Sequence, residues 1–263
     1  MPASFAHYRF GKQLLPSLPG PERQCIQRFR RMFDVGLQGP DIFFYYNPYV
    51  KTAVGALGSK FHAITGQELF PAACAAADTE AGRAYLYGLL AHYCLDSVCH
   101  PYVQRLADIG EAAHVPLESE FERFLLVLDK HPAPHTYDIS KKLRLTRGEC
   151  MTVARFYPPA SGTQVGISLR SMAFSTNFLA SPNWKWREAV LKRVKPSLLD
   201  YRIPHEEDPE LALYVRELKE LYDRAAEKYP SLLAQLTAHM QTGEPLGEDF
   251  ALAFGYVYCR AGS

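Results

Sequence analysis

No run of eighteen apolar residues occurs in this 263-residue chain, which excludes a transmembrane helix by length alone. The N-terminus, Met1-Pro2-Ala3-Ser4-Phe5-Ala6-His7, lacks a basic stretch followed by an apolar one, so no secretory leader is expected. Excess charge of one sign is also missing. The 29 basic and 28 acidic residues leave a formal net charge of +1, which creates no global field for nucleic acid or anionic lipid, and a polyanion partner would need a local patch. These absences predict a cytoplasmic protein with no integral membrane association, unless it leaves by a non-classical route. They argue against a long nucleic acid polymer as partner.

Familiar catalytic signatures are missing too. There is no Gly-rich phosphate loop, internal repeat or low-complexity tract, and no strand-like alternation bounded by hairpin turns. The zincin His-Glu-x-x-His is absent, as is an adjacent His-Asp pair. Glu111-Ala-Ala-His114 stands alone, whereas a ferritin-like site needs two such pairs and two further glutamates. Six cysteines (25, 74, 94, 99, 150 and 259) with no export signal read as free thiols. Cys94 and Cys99, five apart on one helix, point to different faces and cannot bridge each other. Cys99 shares a face with His92 and reads as a small buried residue before it reads as a ligand.

The remaining pattern is helical. At 48% hydrophobic and 22% charged residues, the chain is globular and long enough for one well-buried core or two small ones. Residues 81–99 are apolar nearly all round, as in a buried central helix. Pro101 disfavours helical dihedrals at His100, so that helix is expected to end there. A second long helix is expected after Val115, with Pro116 in its first turn. Further helices are expected over Pro21–Asp34, Gly66–Asp78, Leu145–Phe156, Gly166–Phe178, Trp184–Val194, Pro209–Tyr229, Leu232–Met240 and Gly247–Arg260. Residues 35–49, with Phe43-Phe44-Tyr45-Tyr46 beside Asp41, suit a shaped loop. The segment around His131-Pro132-Ala133-Pro134-His135 reads as a linker. The expected organisation is an all-α chain with a helical core over 1–130, a linker over 131–144, and a C-terminal helical part over 145–263 packed on the core. The C-terminal part supplies walls and stability, and His131, His135, His205 and His239 are read as solvated.

Metal chemistry is the sharpest signal. His92 and Asp96, and again His114 and Glu118, stand four residues apart, which on a helix places two side chains on one face about 5–6 Å apart. His92, Asp96 and His100 recur at every fourth position of one buried helix, where an unpartnered carboxylate would cost several kcal/mol. Asp41 and His62 are upstream groups able to complete the set begun by His92 and Asp96. His100, His114 and Glu118 form a second set of three with one position open. Histidine and carboxylate ligands with an open position are the grammar of hydrolytic zinc. Two adjacent ions would share a bridging hydroxide placed for attack on phosphorus. Each residue also has a plainer reading: Asp41 as a turn residue, His62 as a surface histidine, and Glu118 as one of three similar glutamates in a first helical turn.

His7, Gly39-Pro40-Asp41, His62, the run Tyr87-Gly88-Leu89-Leu90-Ala91-His92 through Asp96 to His100-Pro101, and His114 through Glu118 together resemble the zinc-dependent phospholipase C family. That family is related to the trinuclear zinc single-strand-specific nucleases, and the likeness covers roughly residues 4–130. It implies an all-α fold with a metal cluster between buried helices, and hydrolysis of phosphodiesters, with phospholipid as the substrate class. On this likeness His100, His114 and Glu118 hold one zinc ion. Asp41, His62, His92 and Asp96 hold a second, with Asp41 orienting the attacking water. A third ion falls to His7, to Asp96 as a shared carboxylate, and to the amine of the first mature residue. Secreted members expose a tryptophan there, whereas removal of Met1 here would expose the Pro2 amine. The gap from Asp96 to His100 is also shorter than in the secreted enzymes. The same scaffold also admits a nuclease or a nucleotide or phosphomonoester hydrolase. A non-catalytic helical protein with structural zinc is disfavoured, because the ligands outnumber what one closed tetrahedral site needs. The aromatics 43–46 form a headgroup cage, a base platform or a packed loop.

Overall fold

The computed structural model describes residues 4–182, 184–194 and 196–255. Eleven α-helices run through them: α1 (Ser4–Leu14), α2 (Gly20–Arg28), α3 (Arg30–Gly36), α4 (Ala56–Ala63), α5 (Gly66–Ala76), α6 (Glu80–Asp108), α7 (His114–Leu128), α8 (Arg147–Ala154), α9 (Gly162–Leu179), α10 (Trp184–Val194) and α11 (Ala212–Thr242). A 3-10 helix spans Gly39–Tyr45. No strand forms among the described residues, where one isolated bridge joins Thr65 and Ala253. The fold is all-α.

Helix α6 is the axis. The Thr79 hydroxyl accepts from the Gly82 amide to cap it, and Tyr85, Leu89, Leu90, Tyr93 and Cys94 are fully enclosed. A helix apolar on every side must be surrounded, and α1, α2, α3, α5, α7, α8 and α11 all pack against it. Polar atoms inside that wrapping are bonded: the Tyr85 hydroxyl donates to Tyr157, Tyr229 to the Tyr87 carbonyl, and the Cys94 thiol to the Ala225 carbonyl. At the α3–α6 crossing the backbones nearly touch. A Cβ on Gly36 would lie 2.3 Å from the Tyr85 carbonyl oxygen, and one on Gly88 would lie 2.4 Å from that of Phe33. This close crossing lets the chain leaving α3 turn at once into the 3-10 helix that carries Asp41.

Three expectations are corrected. Helix α6 does not stop at His100 but continues through Pro101 to Asp108. Proline removes one helical hydrogen bond, but here it stands exposed, while Val103 and Leu106 beyond it are buried. Burial of that last stretch outweighs the lost bond. Pro230 fails to divide α11 for the same reason, since Tyr229, Leu232, Leu233 and Leu236 around it are all in the core. The segments expected as helices over 209–229 and 232–240 are therefore one. The helix expected over Gly247–Arg260 shrinks to a 3-10 turn at Glu248–Phe250, followed by an irregular strap to Gly255, with 256–260 outside the described residues. Phe250 and Phe254 anchor the strap in the core. Its backbone groups find partners across the molecule: the Gly66 amide and the Tyr93 hydroxyl donate to the Leu252 carbonyl, and the Gly255 amide to that of His62.

Sequence signals missed α1 and α4, each short and carrying one of the candidate histidines. The expected 21–34 helix breaks at Phe29 into α2 and α3. Between α7 and α8 only short 3-10 turns form at Pro134–Thr136 and Ser140–Lys142, with Ile139 and Leu143 buried. Cys25, Cys74, Cys94, Cys99 and Cys150 are free thiols, and Cys259 lies outside the described residues.

Candidate metal centre

Five elements deliver eight ligand-type side chains to one buried place. Helix α1 brings His7, the 3-10 helix Asp41, α4 His62, α6 His92, Asp96 and His100, and α7 His114 and Glu118. Asp96 is the hub. Its Oδ1 lies 3.2 Å from His7 Nε2, and its Oδ2 lies 3.1 Å from His92 Nε2, 3.5 Å from His100 Nδ1 and 3.6 Å from His62 Nε2. His62 Nε2 also lies 2.9 Å from Asp41 Oδ1. At the far end Glu118 Oε1 sits 3.3 Å from His100 Nε2 and 3.2 Å from His114 Nε2. The helix that runs unbroken through Pro101 keeps His100 one turn from Asp96, so it touches both ends of the chain of contacts.

Three groups place their ligand atoms within 4.8 Å of one another: His7, Asp41 and His92; His62, His92 and Asp96; and His100, His114 and Glu118. Whether the residues suit metal ions can be tested on their hydrogen bonds. Asp41 Oδ1, His62 Nε2, His92 Nε2, Asp96 Oδ2 and Glu118 Oε2 are buried without a hydrogen-bond partner, although several lie close to each other. Buried polar atoms almost always pair, and atoms this close that do not bond one another are aimed at shared points between them. A cation at those points satisfies them all.

The opposite ring nitrogens are held. Nδ1 of His62 donates to the Gly58 carbonyl at 2.7 Å, that of His92 to Leu37 at 3.1 Å, and that of His100 to Phe254 at 3.0 Å. A backbone acceptor at Nδ1 fixes the tautomer and presents the Nε2 lone pair inward, the usual arrangement around a ligating histidine. Gly39 makes room for one of these rings. It has φ of +50°, and a Cβ there would lie 2.6 Å from the His92 ring. Only glycine combines that left-handed backbone with that clearance at no cost.

Electrostatics follow from burial and contact. Burial pushes the carboxyl of Asp41 up, and the adjoining His62 and His92 are among the groups that pull it down, so that it lies below the usual range. Asp96 is held lower still against burial, chiefly by His100 and His92. Burial also opposes charge on Glu118, yet His100 and His114 bring it down to about 2. The carboxylates raise His62 to about 10 and His100 to about 9 despite burial, whereas burial wins at His92 and lowers it. Three ionised carboxylates sit in a dry interior, a costly arrangement without cations to pair them.

Two positioning groups escaped sequence reading. Glu122, one turn beyond Glu118, accepts from the backbone amides of Phe5 at 2.5 Å and Ala6 at 3.2 Å. It thereby fixes the first turn of α1 and so His7. Only the neighbouring Phe121 in the sequence hinted at burial. Burial raises its carboxyl to about 8, so near neutral pH it is largely an uncharged acid, which glutamine mimics. Glu122→Ala is expected to cost about 2–4 kcal/mol by leaving two buried amides unpaired, and Glu122→Gln less than about 1 kcal/mol; urea unfolding checks both. Glu120, the other look-alike, is spent on an ion pair with Arg123. The second missed group is the Phe254 carbonyl on the C-terminal strap.

A sequence model described as zinc-dependent phospholipase C matches residues 6–155. The chain belongs to that family. No curated protein and no solved structure matches it. All eight candidate ligands of this phospholipase C family member fall inside the matched stretch, and the strap that holds His100 falls outside it. Cys99 joins none of the three ligand groups. His131, His135, His205 and His239 stay away from the centre: His135 stacks on His205 at 3.5 Å, and His239 donates to the Glu244 carbonyl. The Pro2 amine lies outside the described residues. The aromatic run divides, with Phe43 buried against Tyr157, and Phe44 5.5 Å from the His62 ring at the edge of the site.

Proposed function

We propose that this protein is a zinc-dependent phosphoric ester hydrolase of phospholipase C type, cleaving a phospholipid to diacylglycerol and a phosphorylated headgroup. One observation carries this reading: eight ligand-type side chains converge, and five of them (Asp41, His62, His92, Asp96 and Glu118) aim a buried atom with no hydrogen-bond partner into the space between them. In the proposal His100, His114 and Glu118 hold one zinc ion, and Asp41, His62, His92 and Asp96 hold a second. His7 shares Asp96 toward a third. Bound zinc supplies Lewis-acid activation of water, whose pKa it lowers toward ~7, and neutralises charge that develops on phosphoryl oxygens. Asp41 would orient the attacking water with its buried carboxylate. The tied Nδ1 atoms keep His62, His92 and His100 from rotating, so the ligand frame is set before substrate arrives.

The activity test compares zinc-loaded protein on phosphatidylcholine, single-stranded DNA and bis-p-nitrophenyl phosphate. The expected result is release of diacylglycerol and phosphocholine, lost with a chelator and restored by zinc. Cleavage of DNA with none of phosphatidylcholine would move the assignment to the nuclease branch, and inertness toward all three would refute it.

A pH dependence follows with a definite sign. With His62 and His100 raised to about 10 and about 9, both hold protons at pH 7 in metal-free protein, and zinc must displace them. Zinc affinity is therefore expected to rise with pH through 7–9 and flatten near 10, with protons released on binding. Calorimetric titration in buffers of different ionisation enthalpy reads the protons; none released at pH 7 would contradict the prediction.

A further inference from the structure

A cavity of about 580 Å³ opens beside the metal centre, lined mainly by aromatic and aliphatic side chains. Phe44 joins the two, lining the cavity while its ring lies 5.5 Å from that of His62. Phe174 and Tyr49 form the outer rim and are largely exposed, and Leu191 of α10 closes one side. On the outer face of α10, Trp186 is 59% exposed and Val190, one turn on, is 49% exposed. Apolar side chains of this size are not left in water on two neighbouring helices without a use.

Charge says what covers them. The whole chain is nearly neutral, yet positions 184–195 hold five basic residues (Lys185, Arg187, Lys192, Arg193 and Lys195) against the single Glu188. Arg187 is committed locally, donating to the Phe178 carbonyl at 2.6 Å, and Lys192 pairs with Glu188 at 2.8 Å, while Arg193 faces solvent. The acidic run that follows in the chain is turned elsewhere at Glu207, which lies 3.8 Å from Arg123 of α7. A helix with exposed tryptophan and valine among cations is built to lie at an anionic lipid surface.

We infer that α10, together with the exposed rim at Phe174, is an interfacial docking face that seats the protein on an anionic phospholipid bilayer, with the cavity mouth and the metal centre turned toward the lipid. This rests on the phospholipase reading above. A soluble ester would need no such face.

The test uses a built-in reporter, because both tryptophans of the chain, Trp184 and Trp186, lie on α10. Zinc-loaded full-length protein is mixed with vesicles of phosphatidylcholine containing phosphatidylglycerol, and emission is read in the first seconds. The expected result is a shift to shorter wavelength with co-sedimentation, both much weaker with phosphatidylcholine alone. Trp186→Ser is expected to reduce co-sedimentation about tenfold, and Arg193→Glu to remove the preference for anionic vesicles, while both hydrolyse bis-p-nitrophenyl phosphate at the parent rate. Unchanged emission, equal binding to both vesicle types, or parental binding by Trp186→Ser would each overturn the inference. If the parent fails on the soluble ester, it is the hydrolase reading that falls, so the two failures are distinct.

Discussion

Replacing Asp96 with alanine is expected to remove bound zinc and to lower kcat/KM by far more than the 10–100-fold typical of losing a group behind a ligand. The size of the effect follows from position. Among the described residues Asp96 is the one side chain within 3.6 Å of four histidines, His7, His62, His92 and His100, so its loss touches every histidine of the centre except His114. Without the carboxylate the four imidazoles converge with little negative charge among them, and cations are no longer held. Asp96→Asn keeps the shape and removes the charge, and it should fail nearly as badly if charge is what matters. Zinc content and phosphodiesterase activity should fall together in both variants; either variant with full zinc and full activity would show that the hub carboxylate is structural.

The largest stability effect is expected at Gly88, a residue with no ligand atom of its own, one turn before His92 on α6. A valine there must place Cβ 2.4 Å from the Phe33 carbonyl oxygen and 2.9 Å from Gly36. Both obstacles are backbone and cannot rotate away. Overfilling a packed interior ordinarily costs about 1–3 kcal/mol, and with no flexible neighbour Gly88→Val should reach about 3 kcal/mol or more. The same substitution levers α3 away from α6, and α3 leads through Gln38 into Asp41, so surviving folded protein should bind less zinc. Gly148→Ala in α8 is the control. Nothing lies within 4 Å of its Cβ, and its stability should change by less than about 1 kcal/mol. A urea midpoint for Gly88→Val equal to the parent's would contradict the close crossing.

The two features behind these predictions differ in how openly the sequence displays them. His92, Asp96 and His100 announce themselves, because a four-residue period of ligands inside an apolar helix has few other uses. The Gly36–Gly88 crossing is silent, since a glycine in a helix looks the same whether it faces solvent or a neighbouring backbone. Pro101 and Pro230 mislead for a related reason: local geometry argues for an end, and the buried residues beyond each proline argue for continuation with more free energy. Glu118 and Glu122 are near-identical in the sequence, and only the fold aims one at His100 and His114 and the other at the amides of Phe5 and Ala6. The C-terminal strap is the least legible part. Its helical composition is overridden by Phe250 and Phe254, which enter the core, and by backbone partners on α4, α5 and α6 that lie more than 150 residues away in the chain.

For a candidate metal centre assembled from five elements the decisive number is the zinc content of the folded chain. Elemental analysis of the full-length protein, reconstituted with zinc and desalted, is expected to give two or three ions per chain. One ion or none would contradict the cluster.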